Sequence, residues 1–563
     1  MADLKFLLVA INSKYIHSNL AVYCLKTAAK PYDGGVDIIE YTINNRTDDI
    51  LRGIYEKHPD VIGFSCYIWN IGIVKELIAE LSKILPDVPV WLGGPEVSYN
   101  PMDYLGYSNV AGVMKGEGEN IFKELVACYI ENRREDISKI SGVTMSNHGK
   151  VIDNPCPQPV NLSDINITYD TEMLRHKIIY YESSRGCPFS CSYCLSSVDK
   201  KLRFKDTELV KKDLKMFIDS EVPQVKFVDR TFNCRKKHAL EIWHYIKEND
   251  RGITNFHFEI AADLLDEEEL TLLNSLRPGL VQLEIGVQST NSLTVSAIHR
   301  KMNLEKLAYN VSRIKQGKNI HIHLDLIAGL PYEDFDSFRK SFNDIYGMRP
   351  DQLQLGFLKI LHGSLMREEK DVYGIVGRNN PPYEVLFTKW LSYEELLKLK
   401  LVENVVEMFY NTGMFEAGIK YLEGFFDDAF SMYMQLGEFY DEKYPAGSLP
   451  SRNGKYELIF HFAKGFLNEK ELHILEELLK FDMLSGDNLK SLPDFIKPDA
   501  NKSAKAKALI PDRKLTKAEH IEIFDYDVLE FTDSGKIISG EFPLYFNYLQ
   551  RDILNNKAIF KRM

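Results

Sequence analysis

The chain has 563 residues, of which 45% are hydrophobic, 12% aromatic and 27% charged, a balance that excludes a mostly disordered or collagen-like protein and leaves length for several domains. Its 81 acidic and 69 basic residues give a formal net charge of −12, which argues against nucleic acid or an anionic membrane as a broad electrostatic partner, local basic patches aside. No apolar run approaches the roughly 20 residues that span a bilayer, and the start MADLKFLLVAINSKYIHSNLA turns polar too early for a signal peptide. The expectation is a cytoplasmic protein without a membrane span.

Residues 1–135 alternate apolar runs with amphipathic stretches: KFLLVAI (5–11), VDIIEYTI (36–43), VIGFSCYI (61–68), VPVWLGG (88–94) and VAGVMKG (110–116). Strands alternating with helices predict a parallel, doubly wound, Rossmann-like sheet. Residues 136–175, with VIDNPCPQPVNLSDINITYD, read as a linker holding one hairpin. A second alternation occupies 176–375, with strands at IIYYESS (178–184), QVKFVDR (224–230), FHFEIAA (256–262), LVQLEIGVQ (280–288), IHIHLDLIAGL (320–330) and DQLQLGFLK (351–359). Six right-handed strand-helix units predict a partial (β/α)6 TIM-like barrel, whose chemistry belongs at the strands' C-terminal ends. Residues 376–563 read as a mainly helical C-terminal domain, with a basic stretch LIPDRKLTKAEH and a strand-like IEIFDYDVLEF. The fold class is α/β throughout the first two domains.

Eight cysteines are too few for a disulfide framework, and three of them fall together in Arg185-Gly186-Cys187-Pro188-Phe189-Ser190-Cys191-Ser192-Tyr193-Cys194, directly after the first barrel strand. Thiolates are soft ligands suited to iron-sulfur clusters, and three on one loop can hold three irons of a cubane and leave the fourth open. The competing reading is a zinc knot, which needs a fourth ligand from Cys234 or His238 in the next unit. The remaining cysteines, Cys24, Cys66, Cys128, Cys156 and Cys234, read as reduced thiols, with Cys66 and Cys234 near strand ends.

The C-x3-C-x2-C spacing, the aromatic Tyr193 before the last cysteine and the six-unit barrel together resemble the radical S-adenosylmethionine (SAM) enzymes. The resemblance implies that Cys187, Cys191 and Cys194 ligate a [4Fe-4S] cluster, that the open iron chelates SAM, and that reductive cleavage yields a 5′-deoxyadenosyl radical, with Tyr193 near the adenine. It also implies a flavodoxin- or ferredoxin-type electron donor. Asp229, closing the second strand, then offers an acceptor to the methionine amine, with a helix cap as the competing role. Glu259 on the third strand is a candidate for a ribose or substrate contact, or else a structural ion pair. Gly286 and Gln288 on the fourth strand, and Gly329 ending the fifth, are candidates for close contact with the cofactor, although a plain turn also explains Gly329.

The first domain sets Ser65, Gly93-Gly94-Pro95-Glu96 and Gly116-Glu117-Gly118-Glu119 after its third, fourth and fifth strands, at the edge where such sheets bind ligands. It has no GxGxxG after the first strand, so an ordinary dinucleotide site is not indicated. LGGPE and GEGE resemble the cobalamin-binding domain that precedes many radical SAM barrels. The DxHxxG of classical cobalamin proteins is replaced: His17 is present, but Tyr15 and Leu20 stand for the aspartate and the glycine. The resemblance therefore implies cobalamin held without a histidine ligand, with His17 as a pocket residue.

Together these resemblances imply methylation of an unactivated carbon with SAM, the [4Fe-4S] cluster and cobalamin. Radical rearrangement or ring chemistry, with or without cobalamin and with the first domain recognising substrate, is the alternative; a non-catalytic iron-sulfur binding module is the third. The substrate is expected to be a small molecule, lipid or peptide, with His362 after the sixth strand as a possible contact. The C-terminal domain resembles an uncharacterised extension of such proteins.

Overall fold

The computed structural model describes residues 4–147, 149–445, 448–488, 492–496, 499–510 and 515–563; 511–514 of the predicted basic stretch lie outside them. Two compact units divide the chain, one comprising Met1–Gln282, Ser296–Asn303 and Leu358–Leu386, the other Leu283–Val295, Leu304–Phe357 and Phe387–Met563.

The first unit begins with β1 (Phe6–Asn12), β2 (Val36–Thr42), β3 (Val61–Ser65), β4 (Val90–Gly93), β5 (Val110–Met114), β6 (Val143–Asn147) and β7 (Lys150–Asp153). They form one sheet in the order β2-β1-β3-β4-β5-β6-β7. Every residue of β1 is buried, and its side chains alternate between two cores. Leu7, Val9 and Ile11 pack with the helices Thr47–Glu56 and Ile71–Ile84, while Phe6, Leu8 and Ala10 pack with Leu20–Ala28 and Gly118–Ile130. Burial on both faces is why the strand reads as an unbroken apolar run, and helices on both faces make the sheet doubly wound. The segment read as a linker behaves otherwise in its first half: β6 pairs antiparallel with β5 and β7 with β6, so the hairpin extends the sheet.

The barrel strands follow as β8 (Ile179–Tyr181), β9 (Ser184–Arg185), β10 (Arg203–Phe204), β11 (Gln224–Phe227), β12 (Asn255–Ile260), β13 (Val281–Gln288), β14 (His321–Ala328) and β15 (Gln352–Phe357). All six predicted barrel strands form. In the first unit β8, β11 and β12 pair in parallel and in chain order; in the second, β14 and β15 do the same. The additional pair β9 and β10 is antiparallel, with Arg185 opposite Arg203. Helix starts between the strands are set by side-chain caps: Asp206 accepts from the amides of Glu208 and Leu209, and Asp266 with Glu269 forms a capping box.

The small pair β16 (Val376–Gly377) and β17 (Val385–Phe387) precedes a run of helices from Tyr393–Phe409 to Val528–Ser534. The C-terminal domain also contains a three-stranded antiparallel sheet, β18 (Glu519–Tyr526), β19 (Ser539–Arg551) and β20 (Ala558–Arg562). IEIFDYDVLEF is strand only as far as Tyr526; Asp527 caps the helix that follows through the amide of Glu530. β19 escapes a sequence reading because Pro543 interrupts it, and proline inside an apolar run argues against a paired strand. Among the described residues no helix is long and apolar enough to cross a membrane.

Candidate active site

The cysteine loop leaves the sheet at Arg185 and returns at Arg203, so the antiparallel pair β9 and β10 closes its base. Gly186 turns the chain there with φ of +94°, and a Cβ on it would lie 2.6 Å from the backbone oxygen of Lys201. Cys187 donates its amide to the Asp199 carbonyl at 3.0 Å, and Cys194 to the Cys191 carbonyl at 3.2 Å. Between them Ser192 donates to the Ile298 carbonyl at 3.0 Å and accepts from the Met366 amide at 2.8 Å. The loop is thus held from both sides by backbone hydrogen bonds that do not involve the thiols. Cys187 and Cys191 are buried and Cys194 half-buried. Gly186→Ala is expected to strain this turn by about 1–3 kcal/mol and to lower iron content after reconstitution; thermal melts and iron assays check it.

Arg300 is the charged neighbour that the sequence did not reveal. Its guanidinium lies 3.8 Å from the Cys191 sulfur and 3.3 Å from the Tyr193 hydroxyl. Burial raises the Cys191 thiol above its ordinary value, and Arg300 opposes that rise by favouring the thiolate. Burial, with the Cys187 charge second, pushes the Cys234 thiol up to about 11.

Asp229 is fully buried at the end of β11, where it accepts from the Ser183 amide at 3.0 Å, the Ser183 hydroxyl at 2.7 Å and the Ser184 hydroxyl at 2.5 Å. Burial pushes its carboxyl up to about 6 against these donors. It caps no helix: Thr231 stands at the start of the short 3-10 helix Phe232–Cys234 and Arg235 at the start of the α-helix that follows. Its partners instead tie β11 to the segment leading into the cysteine loop. Ser183 also contacts His238 Nε2 at 2.9 Å, and burial takes that imidazole down to about 4, so it is neutral at pH 7. Glu259 and Gly286 are half-buried on β12 and β13, and Gly329 adopts φ of +87° after β14. Gln288, at φ of +74°, keeps a buried Oε1 without a hydrogen-bond partner, as does the Ser192 hydroxyl. Such orphaned acceptors fit residues that meet a polar cofactor.

Glu333 follows the Gly329 turn, fully buried, and its Oε1 accepts from Ser289 at 2.7 Å and Ser341 at 2.9 Å while Oε2 has no partner. Burial pushes its carboxyl up to about 7 despite both hydroxyls. A folded-state value of about 7 against about 4.3 unfolded means that the native chain holds an extra proton between those values, so this group's stabilisation is lost as pH rises through 7. Glu333→Gln is expected to flatten that loss, matching wild type near pH 5 and melting higher at pH 8.

In the first domain the predicted cobalamin contacts divide. Gly94, at φ of +114°, has its Cα against the chain at Cys66: a Cβ would come 2.5 Å from that residue's oxygen. Gly93 faces Met114, Gly116 faces Cys156, Gly118 faces Leu25, and Pro95 opens the short helix Pro95–Ser98. Ser65 is buried and receives Asn19 Nδ2 at 3.4 Å. Three glutamates have protein partners in place of open positions. Glu117 receives Arg203 and the Val160 amide at 2.9 Å, Glu119 receives Arg185 at 2.7 Å, and Glu96 accepts from the Tyr383 hydroxyl. Burial alone would raise Glu117, and the hydrogen bonds from Arg203 reverse that and lower it. The GEGE glutamates therefore grip the two arginines at the base of the cysteine loop, a role that spacing alone did not suggest. His17 donates to or accepts from the Ser13 hydroxyl through Nδ1 at 2.9 Å, sits edge-on to Tyr180, and is lowered by burial. Its backbone bridges Ile178, and Ser18 bonds Ile178 and Tyr180, so the loop after β1 covers the start of β8. His362 packs edge-on against Tyr383 at 5.0 Å.

Family profiles match three consecutive regions: "B12 binding domain" over residues 7–126, "Radical SAM superfamily" over 181–345, and "Protein of unknown function (DUF4080)" over 371–546. The chain is 26% identical over 321 residues to the cobalamin-dependent radical SAM methyltransferase TokK of Streptomyces tokunonensis, covering 53% of this chain and 46% of that protein. It is likewise 26% identical over 312 residues to the 2-(S-pantetheinyl)-carbapenam-3-carboxylate methyltransferase of Streptantibioticus cattleyicolor, covering 51% and 45%. The chain thus spans less than half the length of these curated relatives. The fold is also that of the radical SAM methyltransferase TsrM from Kitasatospora setae, solved with cobalamin and a [4Fe-4S] cluster bound, at a TM-score of 0.54 and 17% identity over 68% of this chain and 79% of that one. Three consecutive stretches of the chain thus match the profiles of a B12 binding domain, the radical SAM superfamily and DUF4080, in that order.

Proposed function

We propose that this protein is a cobalamin-dependent radical SAM methyltransferase that methylates an unactivated carbon. The observation that carries the reading is the three-cysteine loop, closed at its base by β9 and β10 directly after the first barrel strand, in a chain whose preceding domain matches the B12 binding profile. Cys187, Cys191 and Cys194 would hold the cluster, and Gly286, Gln288 and Gly329 would meet SAM. The strand-end residues Ser65, Gly93 and Gly94 would let cobalamin approach the sheet edge closely. When bound, these groups supply a 5′-deoxyadenosyl radical for hydrogen abstraction and a methyl group for transfer.

The chain's own contribution is positioning and exclusion of water. Arg300 keeps a positive charge beside the Cys191 sulfur, favouring the thiolate needed by a metal ligand. Asp229 with Ser183 and Ser184 fixes where the loop leaves the barrel, and Glu117 with Glu119 fixes the arginines at its base. The eight free cysteines suit a reducing, cytoplasmic setting, where a flavodoxin- or ferredoxin-type protein would supply electrons. The test is to give the anaerobically reconstituted, cobalamin-loaded protein SAM labelled in its methyl group, together with a metabolite extract. A labelled product that depends on both cobalamin and reductant is expected; 5′-deoxyadenosine without any label transfer would turn the reading toward rearrangement.

A further inference from the structure

The segment Ser296–Asn303 lies against the cysteine loop and carries a residue whose role reaches past the holding of a cluster. The Ile298 carbonyl receives the Ser192 amide at 3.0 Å, which joins the two backbones in the middle of the loop. His299 then takes φ of +55°, and its amide closes a tight turn on the Ser296 carbonyl at 3.0 Å. A left-handed conformation at a residue with a Cβ is uncommon, and here it stands directly before Arg300. One nitrogen of the Arg300 guanidinium, Nη1, reaches both the Cys191 sulfur at 3.8 Å and the Tyr193 hydroxyl at 3.3 Å. The residue is half-buried, so water screens its charge less than at an open surface.

An arginine is positively charged at every ordinary pH, and it donates hydrogen bonds without accepting them. Reducing an iron-sulfur cluster by one electron adds one negative charge to the group that the thiolates hold. A cation and an N–H···S hydrogen bond at one of those thiolates stabilise the reduced form more than the oxidised form, which raises the reduction potential. The sign does not depend on what else the guanidinium touches: a carboxylate left behind by a substitution would add its own negative charge and push the same way. We propose, resting on the iron-sulfur reading above, that Arg300 is a positioning residue that acts through the Cys191 sulfur to raise the cluster's reduction potential. A flavodoxin- or ferredoxin-type donor, oxidised by one electron, then passes that electron more readily to the cluster.

The full-length protein, reconstituted anaerobically with iron and sulfide and kept free of SAM so that no turnover intervenes, would be titrated with dithionite through redox mediators while the EPR signal of the reduced cluster is followed. Arg300→Met is expected to move the midpoint to more negative potential. At the wild-type midpoint the ratio of reduced to oxidised cluster should fall about tenfold, a shift of about 59 mV for one electron. Arg300→Lys, which keeps the charge, should recover most of that shift. A midpoint unchanged in Arg300→Met, or moved upward, overturns the inference and leaves the cluster itself standing. Should Arg300→Met assemble no cluster, Arg300→Gln against Arg300→Lys decides: the uncharged variant is expected at the lower potential, and equal midpoints overturn the inference. Loss of the cluster in all three variants makes the arginine a structural part of the loop and also overturns it. Wild-type protein that assembles no cluster overturns the iron-sulfur reading and this inference together.

Discussion

Cys191→Ala is expected to abolish 5′-deoxyadenosine release and to reduce bound iron well below the roughly four atoms of a reconstituted cubane. Three thiolates are the minimum that leaves one iron open, and two cannot hold the cluster against exchange with solvent. The side chain is small and its loop is fastened by backbone bonds through Ser192 and Cys194, so the fold should survive the change. Arg300 would then face an empty position beside Tyr193. Cys128→Ala is the control: that thiol is buried in the helix Gly118–Ile130, where burial raises it, and iron content and product release should be unaffected. Anaerobic reconstitution with dithionite and SAM, followed by chromatography, makes the measurement. If Cys191→Ala retains iron and cleaves SAM at the wild-type rate, the three-cysteine cluster is wrong.

The largest effect on stability is expected from Arg185→Met. Arg185 contacts Glu182 at 2.8 Å, Glu119 at 2.7 Å and Glu117 at 3.4 Å, with its side chain 20% exposed. Burial by itself would lower the guanidinium's pKa, and the charges of Glu182 and Glu119 outweigh it, so the residue stays charged. Removing the cation leaves Glu119 buried and uncompensated, which costs about 3–5 kcal/mol. By contrast, breaking the exposed pair Lys83–Glu80 should cost less than about 1 kcal/mol. Adding Glu119→Gln to Arg185→Met should recover part of the loss, because it removes the unpaired charge. Denaturant melts of the two variants decide: equal stability of Arg185→Met and wild type would show that the arginine carries no such load. Iron loading should fall with stability, since Gly186 and Cys187 follow Arg185 directly.

What local sequence can carry, it carried here. A strand buried on both faces must be apolar throughout, so β1 was legible as an unbroken run, while barrel strands such as β13 were legible from the alternation of buried and half-buried residues. The spacing of Cys187, Cys191 and Cys194 was legible because a cluster loop is built from near neighbours. The limits appear where a local signal is ambiguous. The hairpin of β6 and β7 was visible, but its joining the sheet depended on β5 having a free edge. β19 was masked by Pro543, and the strand-like run before it changes to a helix at Asp527.

The chemistry around the loop divides in the same way. The sequence alone determined the order of domains, the cysteine constellation and the glycines at strand ends, because each depends on neighbours within a few residues. Tertiary structure decided which polar groups meet. Arg300 reaches Cys191 across 109 residues, Arg203 reaches Glu117 across 86, and Arg185 reaches Glu119 across 66. No periodicity encodes such pairs, since they arise only where segments far apart in the chain, Glu117 and Glu119 after β5 and Arg185 and Arg203 on β9 and β10, meet in the folded protein. For the same reason Asp229, which looked like a free acceptor or a helix cap, becomes the buried anchor of Ser183 and Ser184. Its desolvation must be offset by donors that only the folded barrel places beside it.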